Sequence, residues 1–256
     1  MNTTDASYSL TTSLSYSPAR SSSPFSLLPR HFARLRTAHN NLAKEVPEGW
    51  CARVGMSSER EMLAELERAV KEAQERGEGG DLRIRLNVLP TGEPFAEAFP
   101  LTPMPSYPVR LVFDGRPTSY DDPFLRSKTT NRGKYDEARA RNGATLHPCP
   151  SPSAPPFDVI LFNPASQVTE TTISNVAFRF TDALGGGRSV TPRRECGLLE
   201  GVQRAELLEM GEVEEGVVTV EEVKAAVERG TLEIICFNGV RGVFKAYIAK
   251  GKEETL

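Results

Sequence analysis

Residues 157–175 read FDVILFNPASQVTETTISN and contain two strand-like runs separated by a polar corner. Its first part, 157–162, is a mostly apolar run of strand length. A polar corner follows at 163–166, and a second extended run at 167–172 is rich in β-branched residues. Two such runs on either side of a short turn predict a β-hairpin.

Glu170 is the unusual residue of this hairpin, because it is a carboxylate that lies between Thr169 and Thr171. On one interpretation Glu170 lies on the solvent-facing side of the hairpin, where charged side chains are common. On the other it is buried and needs a partner that stabilises its charge. The pattern alone leaves both interpretations open.

The composition is that of a globular protein. The chain has 256 residues, of which 39% are hydrophobic and 25% are charged, and this length suits one large domain or two small ones. A net charge of -3 argues against nucleic acid or an anionic membrane as the main partner. No apolar run approaches membrane-spanning length, and the Ser/Thr-rich start lacks the apolar core of a signal peptide. We therefore expect a cytoplasmic protein.

Cysteine and histidine usage gives no sign of a metal site. The cysteines are far apart and include no CxxC pair, which favours free thiols in a reducing cytosol. The histidines share no ligand spacing with one another or with the cysteines. These residues are Cys51, Cys149, Cys196, Cys236, His31, His39 and His147.

The first part of the chain predicts an α+β arrangement of layers. A helix is predicted after Pro29 from apolar residues at helical spacing, with Arg34 beside that stripe in a position typical of a solvated arginine. Ser58 and Glu61 form a capping box for a second helix. Strands are predicted at 8–16, 25–28, 82–88 and 109–113.

Domain boundaries follow from turn-rich composition. Residues 119–125 are interpreted as a linker between an N-terminal α+β domain, 1–118, and a C-terminal domain, 126–256. Beyond the linker, 125–140 is helical in composition, and the local pattern predicts that Lys128 is a surface lysine in its first turn.

The C-terminal part combines strands with short helices. Gly201 precedes Val202 at the predicted start of a helix, where glycine lets backbone N–H groups approach a ligand and the helix dipole favours an anion. Thr219 and Glu222 cap a later helix. A glycine turn is predicted at 185–187, a loop at 142–156, and strands at 173–180, 232–237 and 243–248. Composition and spacing thus reach a two-domain α/β protein with an anion site.

Six segments in a fixed order resemble the class IV aminotransferase family, the fold-type IV pyridoxal-phosphate enzymes: HFARL, SKTTNR, VTETTISN, TP, GLLEGVQR and FNGVRG. That family includes branched-chain and D-amino-acid aminotransferases and 4-amino-4-deoxychorismate lyase. The segments run from about Leu10 to Ala246. The resemblance implies a D-amino-acid-aminotransferase-like fold, with a smaller α+β domain and a C-terminal α/β barrel-like domain, and it also implies a homodimer.

The resemblance implies pyridoxal 5'-phosphate as cofactor and assigns three residues to it. Lys128 matches the lysine that binds the cofactor aldehyde covalently and moves the substrate α-proton. Glu170 matches the glutamate at the pyridine nitrogen, which would supply the partner that a buried carboxylate needs. Arg34 in HFARL matches the arginine that binds the phosphate.

Further positions match weaker elements of the family pattern. Leu199 matches the residue that packs on the cofactor ring, and Val202 and Gln203 match the pair that contacts phosphate at a helix start. The family often has a hydroxyl residue where Gln203 stands, so only its backbone donation carries over. Val240 and Arg241 fall in the segment of a further phosphate-contacting turn.

The resemblance is closest to the lyase-like members. Leu10 and the two following threonines resemble an F-T-T-like element, whose last threonine is implicated in proton delivery and matches Thr12. An ordinary strand threonine would fit the same pattern. The resemblance implies a lyase of folate biosynthesis that converts 4-amino-4-deoxychorismate, a small-molecule substrate, to 4-aminobenzoate and pyruvate. The alternatives are a branched-chain or D-amino-acid aminotransferase and an inactive cofactor-binding relative.

Overall fold

A computed structural model describes residues 8–20, 22–151, 153–181 and 187–250. The predicted glycine turn at 185–187 lies mostly outside these residues. The chain forms two compact units, of which the first comprises Met1–Pro103 and Asp121–Arg132 and the second comprises Met104–Tyr120 and Gly133–Leu256. The domain boundaries at 118 and 126 stay a prediction.

The described residues of the first unit form a three-stranded antiparallel sheet and three α-helices. The strands are β1 (Leu10–Tyr16), β2 (Leu82–Val88) and β3 (Pro94–Pro100), in the order β1-β2-β3. The helices are α1 (Leu28–Glu45), α2 (Glu59–Glu75) and α3 (Pro123–Arg126). Alternate side chains of β2 are buried in a core that also includes the apolar stripes of α1 and α2.

Of two local sequence predictions in this unit, one is confirmed and the other is wrong. The capping box of α2 is confirmed, since the Ser58 hydroxyl accepts from the Glu61 N–H while the Glu61 side chain accepts from the Ser58 N–H. The strand predicted at 25–28 is wrong. Only Phe25 forms an isolated bridge there, and α1 already begins at Leu28, because a proline in the first turn suits a helix start.

In the part of the second unit that the structure describes, an eight-stranded mixed sheet is accompanied by three α-helices. Its strands are β4 (Val109–Phe113), β5 (Asp158–Phe162), β6 (Val168–Thr171), β7 (Asn175–Phe180), β8 (Ser189–Pro192), β9 (Glu214–Gly216), β10 (Leu232–Asn238) and β11 (Gly242–Ile248). Its helices are α4 (Gly133–Arg141), α5 (Val202–Glu209) and α6 (Val220–Arg229). The strand order is β6-β5-β4-β11-β10-β7-β8-β9, and the pairs β4–β5, β4–β11 and β8–β9 are parallel.

The predicted hairpin is confirmed as β5 and β6, which pair antiparallel with Phe162 opposite Val168. Its turn places Ser166 at a φ of 56°, a left-handed conformation that a short polar turn residue tolerates. Every residue of β6 is buried, and this burial decides the environment of Glu170.

All four cysteines of the chain lie among the described residues. Cys51, Cys149, Cys196 and Cys236 are free thiols, as predicted. None of the helices in the described part of the chain has the length and apolar character needed to span a membrane. The same residues contain no group of three or more His, Cys, Asp or Glu side chains that could hold a metal ion.

Candidate active site

Lys128 lies in an extended segment between α3 and α4. The Thr11 N–H donates to the Lys128 carbonyl at 2.9 Å, and Leu10 forms an antiparallel bridge with Thr129, so β1 holds this segment in place. The prediction of a helical turn here is wrong. The residue after α3, Ser127, is already extended, and β-branched threonines follow Lys128 and favour pairing with a strand.

Thr12, His31 and Arg34 form one hydrogen-bonded group, which we call the Thr12 cluster. His31 and Arg34 are three residues apart on α1 and therefore share a face of that helix. Arg34 Nη2 donates to Thr12 Oγ1 at 2.7 Å, and the same oxygen lies 2.6 Å from His31 Nδ1. Thr12 and His31 are both 0% exposed.

Burial determines the charge of this cluster. It lowers the pKa of the His31 imidazole well below its ordinary value, and the charges of Arg34 and Lys128 lower that pKa further, so the ring is neutral. Burial also lowers the pKa of the Arg34 guanidinium to about 10, which still leaves it protonated at neutral pH.

Arg34 is a cation without a counter-ion in the described part of the chain. Its Nε is buried and has no hydrogen-bond partner there, and no carboxylate pairs with the side chain. A desolvated guanidinium in this state is costly, and a bound anion would offset that cost. The Thr12 cluster is thus suited to a phosphate group.

Glu170 of β6 is 3% exposed, so the solvent-facing interpretation is wrong and the buried one is confirmed. The Tyr135 hydroxyl, from α4, donates to Glu170 Oε1 at 2.8 Å. The Leu199 N–H donates to the same oxygen at 3.2 Å. Hydrogen bonds donated to a carboxylate favour its ionised form, so both contacts stabilise a negative charge at this position.

Tyr120 extends this polar group on the same unit. Its hydroxyl lies 2.8 Å from the Thr169 hydroxyl, and burial, with the Glu170 charge, raises the pKa of the phenol well above its ordinary value. Gly197 makes room for the ring. A Cβ at Gly197 would lie 2.5 Å from Tyr120 Cγ, and the φ of 89° there also favours glycine.

The start of α5 differs in detail from the sequence prediction. Gly201 precedes the helix as predicted, but the space left by its missing side chain is taken by Asn175, since a Cβ would lie 2.1 Å from Asn175 Oδ1. Asn175 Nδ2 in turn donates to the Leu199 carbonyl at 2.9 Å. No side chain caps the helix, so the N–H groups of its first turn, which includes Val202 and Gln203, are suited to an anion.

Val240 and Arg241 lie in the tight turn between β10 and β11. Asn238 Oδ1 accepts from the Val240 N–H at 3.0 Å and from the Arg241 N–H at 2.9 Å. The Arg241 guanidinium lies 5.6 Å from the centre of the Phe157 ring. These backbone donors are therefore already used within the turn, where they fix its shape.

Each unit thus carries its own part of the predicted site. Lys128, Arg34 and Thr12 belong to the first unit, and the other predicted residues belong to the second. Sequence reasoning assigned no role to four side chains that the structure places against predicted ones: His31, Tyr120, Tyr135 and Asn175. The spacing of His31 three residues before Arg34 was a usable signal, whereas the other three contacts join distant segments.

The model of the family described as "Amino-transferase class IV" matches residues 15–245. The chain belongs to this family. It is 28% identical over 227 residues to a protein of Schizosaccharomyces pombe named "Putative aminodeoxychorismate lyase", covering 87% of this chain and 84% of that protein. It is 31% identical over 129 residues to an aminodeoxychorismate lyase of Saccharomyces cerevisiae, covering 49% of this chain and 33% of that protein.

Two solved structures share the fold. A "Putative amino-acid aminotransferase" from Mesorhizobium loti superposes with a TM-score of 0.73 at 26% identity and covers 94% of this chain and 100% of its own. A "Putative 4-amino-4-deoxychorismate lyase" from Legionella pneumophila superposes with a TM-score of 0.71 at 17% identity, covering 96% and 87%. The predicted fold-type IV architecture is confirmed, and with it a pyridoxal-phosphate-dependent enzyme.

Proposed function

We propose that this chain is a lyase that converts 4-amino-4-deoxychorismate to 4-aminobenzoate and pyruvate. The observation that carries the proposal is the geometry around Thr12, the residue that matches the proton-delivering threonine of the lyases. Its hydroxyl is fully buried and hydrogen-bonded, and the adjacent Thr11 N–H binds the backbone of Lys128. The likeness to the Schizosaccharomyces pombe protein over 87% of the chain supports the same substrate.

The residues that would hold the cofactor follow from the contacts of each unit. Arg34 would bind its phosphate, for which the unpaired Nε and the missing counter-ion are suited. The first turn of α5, with Val202 and Gln203, would donate N–H groups to the phosphate, and the Arg241 side chain would add positive charge. Leu199 would pack on the ring, and Lys128 would bind the aldehyde.

When bound, pyridoxal phosphate supplies a ring that accepts the electron pair released as the α-proton leaves. The amine of Lys128 would take that proton from the substrate carbon and hold it. Glu170, whose charged form its donors stabilise, would hold a proton on the pyridine nitrogen. Thr12 would relay a proton to the enolpyruvyl group as it leaves as pyruvate and would regain one from Lys128, so the α-proton ends on the product. Formation of an aromatic product supplies much of the driving force.

An aminotransferase is the second candidate, because the Mesorhizobium loti structure of that name is 26% identical over 94% of this chain. In that reaction Lys128 would return the proton to the cofactor carbon and a keto acid would leave. Thr12 would have no proton to deliver to a leaving group. The two functions therefore differ in how much they depend on the Thr12 hydroxyl.

Two further properties are part of the proposal. We infer a homodimer from the resemblance to the class IV enzymes, and sedimentation of the purified protein tests it. We infer a cytoplasmic location from the free thiols, which suit a reducing compartment.

The test is an assay of the cofactor-loaded protein with enzymatically generated aminodeoxychorismate. We expect 4-aminobenzoate and pyruvate in equal amounts. At saturating pyridoxal phosphate, which offsets any loss of cofactor affinity, Thr12→Ala should reduce this rate far more than any exchange between amino acids and keto acids. Thr12→Ser should retain most of the rate. Transfer between amino and keto acids without 4-aminobenzoate would support the aminotransferase and reject the lyase.

A further inference from the structure

The hydrogen bonds of the Thr12 cluster have one consistent direction. A guanidinium only donates, so the Thr12 oxygen accepts from Arg34 Nη2 at 2.7 Å. The single hydroxyl proton must then go elsewhere, and His31 Nδ1 at 2.6 Å is the acceptor within reach among the described residues. The opposite tautomer of His31 would leave that proton without an acceptor.

This direction fixes the tautomer of His31. Its Nδ1 accepts and its Nε2 carries the hydrogen, and the Nε2 atom is buried without a hydrogen-bond partner among the described residues. An unpaired buried N–H is rare and costly in a folded protein. An apolar side chain would avoid that cost, so packing alone does not account for a histidine here.

We propose that His31 is a positioning residue for the phosphate-binding arginine. By accepting the Thr12 hydroxyl proton, it directs the lone pairs of that oxygen to Arg34 and fixes the guanidinium with its remaining N–H groups available to an anion. The inference rests on the proposed role of Arg34. It adds a task for Thr12, whose hydroxyl orients Arg34 while it donates to His31 and would have to turn away from His31 to relay a proton.

The neutral state of His31 fits this task. Arg34 and Lys128 both act on the ring electrostatically, and a third positive charge would be unfavourable beside them. A protonated ring would also lose the acceptor at Nδ1 and release the Thr12 hydroxyl proton. The cluster therefore works as a chain of single hydrogen bonds from Arg34 through Thr12 to His31.

A comparison of pyridoxal phosphate with pyridoxal, which lacks the phosphate, distinguishes a loss of phosphate binding from a general loss of stability. The affinities of the apoprotein for pyridoxal phosphate and for pyridoxal, measured by equilibrium dialysis, give a ratio that reports the phosphate contribution alone. We expect His31→Leu to lower the affinity for pyridoxal phosphate about fivefold to tenfold, the effect of one lost hydrogen bond, and to leave that for pyridoxal unchanged. His31→Asn, whose amide oxygen can replace Nδ1 as acceptor, should restore the ratio.

A second histidine of α1, His39, provides the control substitution. His39→Leu, on the same helix, should change neither affinity, because His39 Nε2 contacts the Val54 carbonyl instead. Equal losses for both cofactor forms in His31→Leu, or a failure of His31→Asn to restore the ratio, would overturn the inference. So would a ring-nitrogen NMR spectrum of the wild type that shows His31 Nδ1 protonated.

Arg34→Gln separates this inference from the proposed function. An unchanged ratio in Arg34→Gln would show that Arg34 does not bind the phosphate and would overturn the inference, whatever the lyase assay shows. A failed lyase assay with the expected ratios would reject the lyase function and support the positioning role. The two proposals therefore fail in different experiments.

Discussion

At the scale of single residues, Glu170 shows how a buried charge is stabilised by donors from distant parts of the chain. The hydroxyl of Tyr135 and the backbone N–H of Leu199 both donate to one carboxylate oxygen. Because the side chain is only 3% exposed, these contacts replace water as the source of stabilisation. A fixed negative charge is what a protonated pyridine nitrogen requires.

Replacement of the charge by an amide should uncouple cofactor binding from turnover. We expect Glu170→Gln to bind pyridoxal phosphate but to lower kcat about 100-fold, the scale of losing one preorganised electrostatic contact. Tyr135→Phe, which removes one donor to the same oxygen, should have a smaller effect. Steady-state kinetics of the loaded protein measure both.

Glu233→Gln is the matched control, since Glu233 is an exposed carboxylate of the same sheet. It should leave kcat unchanged. Full activity of Glu170→Gln would contradict the assigned role of Glu170.

At the scale of elements, the start of α5 is fixed by a close contact with β7. The Asn175 side chain fills the space beside Gly201 and also binds the Leu199 carbonyl. One side chain thus holds both the first turn of α5 and the segment that donates to Glu170. This link explains why glycine is needed at position 201 although its backbone is not strained.

A methyl group at this position should disturb the contact. We expect Gly201→Ala to lower the free energy of unfolding by about 2 kcal/mol, a typical cost of overpacking, and to weaken binding of pyridoxal phosphate. Urea denaturation and equilibrium dialysis measure the two effects. Gly115→Ala is the control, because a Cβ there meets no atom within 4 Å. An unchanged stability of Gly201→Ala would show that Asn175 can move aside.

An ion pair between a buried carboxylate and a partly exposed arginine joins the end of β4 to the end of α4. Arg141 donates to both oxygens of Asp114, at 2.9 and 2.7 Å, and Asn142 adds a third bond at 2.9 Å. Burial alone would raise the pKa of the Asp114 carboxyl, but these hydrogen bonds outweigh it and hold that pKa below the ordinary 3.8. The pair therefore stabilises the fold above that pH, and its contribution is lost as the pH falls through the lowered pKa.

Asp114→Asn should reveal this dependence. We expect the variant to be about 2 kcal/mol less stable than the wild type at pH 7, because Arg141 loses its partner. The difference should begin to shrink below about pH 4, where the Asp114 carboxyl of the unfolded chain takes up a proton. It should shrink further as the pH falls through the lowered pKa of the folded state. Urea denaturation between pH 3 and pH 7 tests it, and a difference that stays constant over that range would contradict the assigned pKa direction.

At the scale of the whole molecule, the features predicted correctly from sequence are those that local patterns encode. The β5–β6 hairpin follows from two strand-like runs around a polar turn, and α2 and α6 follow from their capping boxes. In each case the residues that form the element are neighbours in the sequence. Short or proline-bounded strands such as β3, β8 and β9 lack such a pattern and were missed.

Long-range pairing accounts for the other differences. The segment 121–132 belongs to the first unit although the residues on both sides of it belong to the second. Its contact with β1 places Lys128 in an extended conformation, where composition alone predicted a helix. In the same way β4 pairs in parallel with β5 and β11, and no local periodicity reports such partners.

In the candidate site, too, some features were predictable from sequence and others depend on long-range contacts. Lys128, Glu170 and Arg34 were identified by resemblance to the family, and their roles stay predictions. The contacts of His31, Tyr135 and Asn175 could not be predicted from sequence, because each depends on the orientation of a side chain against another element. The family motif thus predicts candidate residues, and the fold supplies the groups that orient them.

The central claim is that Lys128 binds the cofactor covalently, and chemical trapping tests it most directly. The protein loaded with pyridoxal phosphate is reduced with borohydride, digested and analysed by mass spectrometry. We expect the pyridoxyl group on Lys128 and not on Lys134, which follows it closely in the sequence. We expect Lys128→Ala to remain folded but to lack the label and the visible absorption band. A label on another lysine, or no label on the loaded wild type, would contradict the claim.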